Sequence, residues 1–313
     1  MNVHVIINPA AGSEESVLFK MIAFFQEHDI DYRVSVTTRN DSAEALARSV
    51  LEDNVDAVVG YGGDGTMMGI ANALHDTDVP LLIVPGGTAN VLSQELHIPT
   101  TIPKALSLLL PGYGHKDKID IGRYKDTYFL TNLGVGIPAQ WVKEANRELK
   151  NKYGLMAYIV AGVKATIKSK LSTYKLTLDG KEIETEGITC MIANIGSTGF
   201  RGLRLSKDIS VTDGLLDVIV FKLKLYENFL ERSEDSWFSF KENGNLLFEH
   251  HRAKSIKIVS EPVQPINMDG EMAGETPVEV SIAPKSLSLY RPTTKAQSLW
   301  DRFMSTFTGE NHL

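Results

Sequence analysis

The first 110 residues alternate short apolar runs with segments in which apolar residues recur at helical spacing. That spacing predicts helices over Val17–Glu27, Ala43–Asp53 and Thr66–Leu74. The runs between them predict strands over Val3–Ile7, Tyr32–Val36, Asp56–Gly60 and Pro80–Val84. Apolar strands that alternate with helices indicate a parallel sheet covered by helices on both faces.

The pattern changes after Lys118, where short strands follow one another with turn signals and few helices between them. The predicted strands are Tyr128–Leu130, Tyr174–Leu178, Ile188–Ile195, Leu215–Leu223, Ser255–Val259 and Pro277–Ile282. This rhythm is typical of antiparallel β structure, and Asp179-Gly180 predicts a hairpin turn. Residues 139–170 are the exception, because they predict two helices with a break near Gly154.

These patterns predict an α/β domain over residues 1–118 and an antiparallel β domain over 119–291. A helix or tail over 292–313 would follow. The composition, 43% hydrophobic and 23% charged, is that of a soluble globular protein. No apolar run reaches the ~18–20 residues that a membrane-spanning helix needs.

Charge and cysteine content narrow the classes of protein further. A net charge of −7 argues against a chain whose whole surface binds nucleic acid. The single cysteine, Cys190, excludes an internal disulfide framework and a cysteine-based zinc cluster, and favours a reducing, cytoplasmic location. Cys190 itself lies in a strand pattern and is predicted to be a core residue. The pair His250-His251 is predicted to lie in a polar loop.

Two segments have features of a surface that contacts lipid. Residues 143–175 carry eight Lys or Arg against two Glu, which fits either a solvated helix face or attraction to anionic lipid. Near the C-terminus, apolar residues recur at helical spacing over 299–307 and predict packing against the protein or contact with a membrane.

Three turns of similar chemistry follow predicted strands: Asn8–Gly12, Gly62–Thr66 and Gly86–Asn90. In a parallel sheet all three lie at the carboxyl edge, where glycines let a ligand approach the backbone and helix starts attract phosphate. We therefore predict a phosphate-rich ligand. A dinucleotide-dependent oxidoreductase is disfavoured, because a second glycine loop stands where that fold needs an acidic residue. The P-loop lysine motif is absent from the sequence.

The order of six motifs resembles that of the bacterial diacylglycerol kinase-like lipid kinases, over about residues 1–291. The motifs are Asn-Pro-x-Ala-Gly at 8–12, Gly-Gly-Asp-Gly-Thr at 62–66, Pro-Gly-Gly-Thr-Ala-Asn at 85–90, Asp-x-Gly at 120–122, Asp-Gly-Leu-Leu-Asp at 213–217 and Asp-Gly-Glu at 269–271. The resemblance implies a nucleotide-binding α/β domain of the NAD kinase and diacylglycerol kinase type, followed by an antiparallel β-sandwich that binds the lipid substrate.

The resemblance also implies roles for individual residues. Asp64 would lie by the phosphates and their Mg²⁺, and Glu271 would be the general base. A second Mg²⁺ would bind the Asp213 carboxylate with the main-chain carbonyls of Ser210 and Leu215, while Asp120 would belong to a polar network. The residues implied to hold ATP are Asn8, Gly12, Thr37, Thr38, Gly62, Gly63, Asp64, Gly65, Thr66, Gly87, Thr88 and Asn90.

The sequence departs from the family pattern at two places. Met67-Met68-Gly69 stands where the family has x-Asn-Glu, and Gly136-Ile137-Pro138-Ala139 replaces a Gly-Phe-Asp-Ala-like turn. Structural explanations also stay open for the acidic motifs, since Asp-Gly-Glu at 269–271 and Asp213-Gly214 are both typical of hairpin turns. Arg201 and Arg204 fit either a phosphate contact or a surface loop.

These observations together predict an ATP- and Mg²⁺-dependent lipid kinase that phosphorylates diacylglycerol or a related lipid alcohol. Sphingoid bases and phosphatidylglycerol stay open as acceptors. The expected partners are the lipid substrate and, peripherally, the inner face of the membrane, with no nucleic acid; a homodimer is left open. An NAD kinase and a nucleotide-binding regulator without catalysis are the alternatives.

Overall fold

The computed structural model describes residues 1–12, 16–136, 171–197, 204–222 and 248–296. Its α-helices are α1 (Val17–Glu27), α2 (Ala43–Val50), α3 (Asp64–Leu74), α4 (Val91–Glu95) and α5 (Ile102–Leu106), with 3₁₀ turns at Leu51–Asp53 and Ser107–Leu109. Its strands are β1 (Asn2–Ile7), β2 (Asp31–Val36), β3 (Ala57–Gly62), β4 (Leu81–Pro85), β5 (Gly114–Tyr124), β6 (Thr127–Phe129), β7 (Asn132–Val135), β8 (Ser172–Leu178), β9 (Lys181–Gly187), β10 (Thr189–Ala193), β11 (Leu216–Phe221), β12 (Phe248–Ala253), β13 (Ser255–Glu261), β14 (Pro265–Met268), β15 (Glu271–Glu275) and β16 (Val278–Pro292).

The chain divides into two compact units. Unit 1 is Met1–Ile119 together with the residues from Lys285 onward, and unit 2 is Asp120–Pro284. The predicted helices over 139–170, Arg201 and the apolar pattern over 299–307 lie outside the described residues, as does most of the basic segment 143–175. No helix among the described residues is long and apolar enough to cross a membrane.

Unit 1 contains the predicted parallel sheet. Its strands run in the order β2-β1-β3-β4, all parallel, and β16 joins them beside β4 at Leu289. Strands β3 and β4 are buried along their whole length, as their unbroken apolar sequences predict. The register pairs Ile7 with Val36 and Tyr61, and Gly62 with Pro85, so the strands end at one edge.

Unit 2 contains two antiparallel sheets, one ordered β16-β13-β8-β9 and the other β12-β11-β10-β7-β14-β15. Strand β13 alternates exposed and buried positions, as a strand with one solvated face does, whereas β10 and β11 are buried throughout. A common core joins side chains of both sheets, among them Tyr174, Ile192, Val218, Ile258 and Val280. The predicted antiparallel β-sandwich is thereby confirmed.

The structure of unit 2 tests several local predictions made from the sequence. Asp179 and Gly180 form the β8–β9 hairpin turn with φ of 50° and 85°, as predicted. Cys190 lies in β10 and is fully buried, which raises its pKa to about 12. The prediction of a polar loop for His250-His251 was wrong, because both residues lie in β12, where His250 Nε2 is 2.6 Å from Asp217 Oδ1.

Candidate functional site

The three glycine-rich turns lie side by side at the carboxyl edge of the parallel sheet. We call Asn8–Gly12, Gly62–Thr66 and Gly86–Asn90 together the glycine-loop edge. The backbone N–H of Asn8 donates to Tyr61 O (2.9 Å), and the N–H of Gly86 donates to Gly62 O (2.8 Å). The sheet register therefore brings the three turns together, as the sequence predicted.

The Asn8 side chain connects the first turn to the second. Its Oδ1 accepts the backbone N–H of Ala10 (3.0 Å), which closes a local turn. Its Nδ2 donates to Thr66 Oγ1 (2.9 Å) at the start of α3. Both polar ends of Asn8 thus shape the loops, and Thr66 is itself buried.

Tyr61 fills the space beneath the loops. A Cβ at Gly86 would lie 2.7 Å from the Tyr61 ring, and a Cβ at Gly12 would lie 2.6 Å from its hydroxyl oxygen. Gly12 also has φ of +73°, a conformation that favours glycine. Burial raises the pKa of Tyr61, so its hydroxyl stays protonated at neutral pH. These glycines are required by close packing against one aromatic ring.

The first turn of α3 offers an open backbone surface. Its N-cap residue, Gly63, is extended and makes no side-chain cap, and this 11-residue helix has its positive dipole end here. A Cβ placed on exposed Gly65 would meet no atom within 4 Å, while one on Gly87 would lie 2.6 Å from Gly63 Cα. An open, uncapped helix start beside a second tight glycine loop fits a phosphate group.

Asp64 has a structural role that the sequence did not predict. Its Oδ2 accepts the backbone N–H of Val91 (3.1 Å), and its Oδ1 accepts that of Leu92 (3.2 Å). The carboxylate therefore caps the start of α4, whose own N-cap residue, Asn90, provides no side-chain cap. Asp64 thus ties the second glycine turn to the helix that follows the third.

The remaining predicted nucleotide residues differ in what their side chains do. Thr37 follows β2, and its N–H donates to Ile7 O (2.9 Å), so it lies at the same edge. The Thr38 hydroxyl donates to Asp41 Oδ2 (2.9 Å) within a local turn. The Asn90 amide closes its own loop on Gly87, with bonds of 3.0 and 2.7 Å, whereas Thr88 is exposed.

The departure at Met67-Met68-Gly69 has a packing explanation. A Cβ at Gly69 would lie 3.3 Å from Ala43 Cβ and from the backbone nitrogen of Glu44, both in α2. Met67 is buried against the sheet. Helices α2 and α3 therefore approach closely where the family pattern has a glutamate, and a longer side chain at position 69 would force them apart.

In unit 2, Glu271 follows a tight turn between β14 and β15, which we call the base hairpin (Met268–Glu271). Met268 pairs with Glu271, and the intervening Asp269 and Gly270 have φ of 46° and 91°. Glu271 is exposed, whereas the Asp269 carboxylate accepts four hydrogen bonds from residues 130–132. The hairpin interpretation of this motif is correct, and it leaves the Glu271 carboxylate accessible.

The second acidic motif forms a turn that we call the Asp213 turn (Ser210–Leu215). Asp213 Oδ1 accepts the N–H of Leu215 (3.0 Å), and buried Asp120 accepts the N–H of Gly214 through Oδ2 (2.7 Å). The Asn194 amide donates to Asp120 O (3.1 Å) and to Leu130 O (2.9 Å). Hydrogen bonds through Asp120 and Asn194 thus connect the Asp213 turn to Leu130. The backbone N–H of Leu130 in turn donates to Asp269 of the base hairpin.

The predicted Mg²⁺ ligands offer oxygen atoms only, which is the donor type that Mg²⁺ takes. Asp213 Oδ2, however, already pairs with Arg252 Nη2. The Arg252 Nε is also 3.3 Å from Oδ1 of buried Asp217, whose Oδ2 has no hydrogen-bond partner among the described residues. The donors fit a magnesium ion, but the guanidinium is a competitor for its carboxylate. The described residues contain no group of three or more His, Cys, Asp or Glu that could hold a metal.

We expect Arg252→Gln to tighten Mg²⁺ binding about 1.4- to fivefold, because it removes that competing charge. This corresponds to the ~0.2–1 kcal/mol of a partly exposed ion pair. Calorimetric titration of Mg²⁺ without nucleotide measures the change. Lys257→Gln is the matched control, since it removes one cation of the same unit from a surface pair with Glu279 (2.6 Å). Equal affinities in all three proteins would contradict competition at Asp213.

The sequence did not predict the contacts that three residues make in these sites. Tyr61, Arg252 and Asp269 act on loops that are remote in the chain; Asp269, for example, bonds residues 137 to 139 positions away. The only local signal was Asp269-Gly270, which predicted a turn but not the partner of its carboxylate. Arg204, which the sequence left open, donates through Nη2 to Ile209 O (3.1 Å).

Known proteins resemble this chain along nearly its whole length. Residues 2–124 match the model of the diacylglycerol kinase catalytic domain, and residues 131–291 match that of the YegS C-terminal NAD kinase beta sandwich-like domain. An uncharacterized protein of Synechocystis sp. is 33% identical over 92% of this chain and 70% of its own length.

A diacylglycerol kinase of Staphylococcus carnosus is 25% identical over 92% of this chain and 94% of its own length. The crystal structure of a "putative diacylglycerol kinase" from Bacillus anthracis superposes with a TM-score of 0.76. It is 25% identical and covers 94% of this chain and 98% of its own. By its motifs, its fold and its relatives, the chain belongs to the diacylglycerol kinase-like lipid kinase family.

Proposed function

We propose that this protein transfers the γ-phosphoryl group of ATP to the hydroxyl of a lipid, with diacylglycerol or a related lipid alcohol as acceptor. The observation that carries the proposal is the open start of α3 within the glycine-loop edge. Three loops are fixed there by Asn8, Asp64 and Tyr61, and the N-cap residue of α3 is a glycine, which makes no side-chain cap. The family membership supports a kinase with a lipid acceptor.

On the donor side, the backbone of Gly62–Thr66 and Gly86–Asn90 would hold the ATP phosphates. Thr37, which lies at the same edge, would contact the rest of the nucleotide. Phosphoryl transfer needs mainly positioning and charge stabilisation, which backbone N–H groups and a helix start supply. The glycines serve this purpose because a side chain at Gly65 would occupy the open surface.

On the acceptor side, Glu271 would take the proton of the lipid hydroxyl. The hydroxyl oxygen then forms a bond to the γ-phosphorus, the bond from that phosphorus to the bridging oxygen breaks, and ADP leaves. Proton transfer by a side chain requires that it lie within hydrogen-bond reach of the proton, so the position of the carboxylate at the hydroxyl matters most. The exposed Glu271 on a well-anchored turn suits this role.

Magnesium would neutralise charge on the transferring phosphates. We propose Asp64 as the acidic residue nearest those phosphates, and the Asp213 turn, with the Ser210 and Leu215 carbonyls, as a second place for the ion. Arg252 would have to release Asp213 for that second ion to bind. The peripheral membrane contact proposed for a lipid kinase would involve residues 143–175, most of which lie outside the described part of the chain.

Gly65→Ala should weaken ATP binding while making the ligand-free protein more stable. The methyl group meets no protein atom, and replacing a helical glycine by alanine gains about 0.4–1 kcal/mol. The same methyl would cover the backbone that faces phosphate. Losing one hydrogen bond to a charged group costs about 1.5–3 kcal/mol, roughly 10- to 150-fold in affinity. Calorimetry with Mg-ATP and thermal unfolding measure both effects; unchanged ATP affinity would place the phosphates elsewhere.

The direct test of the proposed function is a transfer assay with γ-labelled ATP and Mg²⁺. The panel contains diacylglycerol, a sphingoid base, phosphatidylglycerol and NAD. Label in diacylglycerol or a related lipid alcohol supports the proposal. Label in NAD would instead favour an NAD kinase, the enzyme whose β-sandwich the C-terminal family model is described as resembling.

A second candidate function is a nucleotide-binding regulator without catalysis. The observation that favours it is the close approach of α2 to Gly69, because even a Cβ there would lie 3.3 Å from atoms of Ala43 and Glu44 and the acidic side chain of the family pattern is replaced by hydrogen. ATP binding without transfer to any member of the panel would support this candidate against the kinase.

A further inference from the structure

The Asp269 carboxylate is the most heavily hydrogen-bonded side chain near the base hairpin. Oδ2 accepts the backbone N–H of Leu130 (2.8 Å). Oδ1 accepts the N–H of Thr131 (2.9 Å), the Thr131 hydroxyl (2.5 Å) and the N–H of Asn132 (3.0 Å). Three successive backbone N–H groups and a hydroxyl thus converge on one carboxylate, as in a backbone anion nest.

The same residue is fixed through its backbone. The N–H of Asp269 donates to Asn132 O (3.0 Å), and Met268 pairs with Leu133 across the β14–β7 ladder. Beyond the turn, support is weaker: β15 is the edge of its sheet and pairs only with β14 among the described strands. Glu271 is the first residue of that edge strand, so its position depends on how firmly Asp269 holds the turn.

We propose that Asp269 is a positioning residue, which fixes the base hairpin on residues 130–132 so that Glu271 stays at the acceptor hydroxyl. This inference rests on the proposed function, in which Glu271 is the general base. Asp269 does not serve as the base itself, because both of its carboxylate oxygens accept hydrogen bonds from the backbone N–H groups of residues 130–132. Its effect on the reaction passes through Glu271.

The chain contains a second hairpin of the same chemistry that serves as a control. Asp179-Gly180 has nearly the same φ angles, and the Asp179 carboxylate accepts the N–H of Lys254 (3.0 Å) and that of Ser255 (2.8 Å). No residue of a proposed site lies in this hairpin. Asp179→Asn therefore removes an equivalent anchor and reports the purely structural consequence.

The test compares Asp269→Asn with Asp179→Asn and combines Asp269→Asn with Glu271→Gln. In Asp269→Asn, the side-chain amide would set an N–H donor against backbone donors and loosen the turn. We expect kcat to fall about 10- to 100-fold, since a base misplaced by 1 Å costs about that much. The KM for ATP should change less than about twofold, and Asp179→Asn should retain its kcat. In the Glu271→Gln background, Asp269→Asn should lower kcat no further than about twofold.

Each other outcome has a definite meaning. An equal loss of kcat in both backgrounds would overturn the positioning role while leaving Glu271 as the base. No loss in Glu271→Gln would overturn the base assignment and the positioning role with it. If Asp269→Asn does not fold, Thr131→Val removes one donor and leaves three backbone donors. A severalfold loss of kcat that disappears in the Glu271→Gln background then supports the proposal, and an unchanged kcat overturns it.

Discussion

Glu271→Gln should lower turnover about 10²- to 10⁴-fold, which is the usual contribution of a general base. The amide keeps the size of the side chain and much of its hydrogen bonding but cannot accept a proton at neutral pH. ATP affinity should change little, because the proposal assigns Glu271 to the acceptor hydroxyl and assigns the nucleotide to the glycine-loop edge. Thermal stability should also be nearly unchanged, since Glu271 is exposed.

Steady-state kinetics with a lipid acceptor and calorimetry with Mg-ATP separate the two halves of this expectation. Glu275→Gln is the matched control, because Glu275 is an exposed glutamate of the same strand, β15, and its substitution removes the same charge. Near-normal turnover of the Glu271 variant would leave proton transfer to water. A large loss of ATP binding would instead assign Glu271 to the nucleotide site.

The parallel sheet was predictable because its strands are apolar enough to be recognised in the sequence alone, without knowledge of the neighbouring strands. Val3–Ile7 and Pro80–Val84 each differ from the observed strand by no more than one residue at either end. The glycine turns were predictable for a related reason: strand, turn and helix are adjacent in the chain, and the parallel register brings the strand ends together. Only the spacing of those turns, which the Tyr61 ring sets, required the structure.

The antiparallel unit was less predictable because many of its strands carry polar residues. Strand β9 reads Lys-Glu-Ile-Glu-Thr-Glu-Gly, and β12 contains His250, His251 and Arg252. Arg252 of β12 forms ion pairs with two residues far along the chain, Asp213 and Asp217. Local sequence patterns show hydrophobic periodicity, not partners of this kind, so β12 resembles a polar loop until β11 is placed beside it.

Among the site residues, Asp64 has a structural role, the capping of α4, in addition to the role that its motif predicts. The sequence motif indicated an acidic residue beside phosphate, and nothing local indicated that its carboxylate reaches Val91 and Leu92. Those partners lie 27 and 28 positions away, beyond the rest of α3, strand β4 and the loops on either side of it. A variant of Asp64 therefore tests two functions at once, and the two must be separated.

Two substitutions of Asp64 separate charge from capping. Asp64→Ala removes both. It should lower the free energy of unfolding by the ~0.5–2 kcal/mol of a lost helix cap, and it should also impair phosphoryl transfer. Asp64→Asn keeps a side-chain oxygen for one of the two capped N–H groups, so its stability should fall less. If the charge acts on Mg²⁺ and the phosphates, both variants should lose about 10²- to 10³-fold in turnover, the cost of removing one electrostatic group from a catalytic site.

Thermal unfolding and single-turnover transfer with Mg-ATP are the two measurements. Gln94→Ala is the control for a loosened α4, because it removes the bond from Gln94 Nε2 to Ala89 O (2.7 Å) without changing charge. Turnover that follows stability across all three variants would show that Asp64 acts only as a cap. If Asp64→Asn and Gln94→Ala have similar stability, low turnover in the first and normal turnover in the second would show that the negative charge is needed for transfer. Only Asp64→Asn removes that charge.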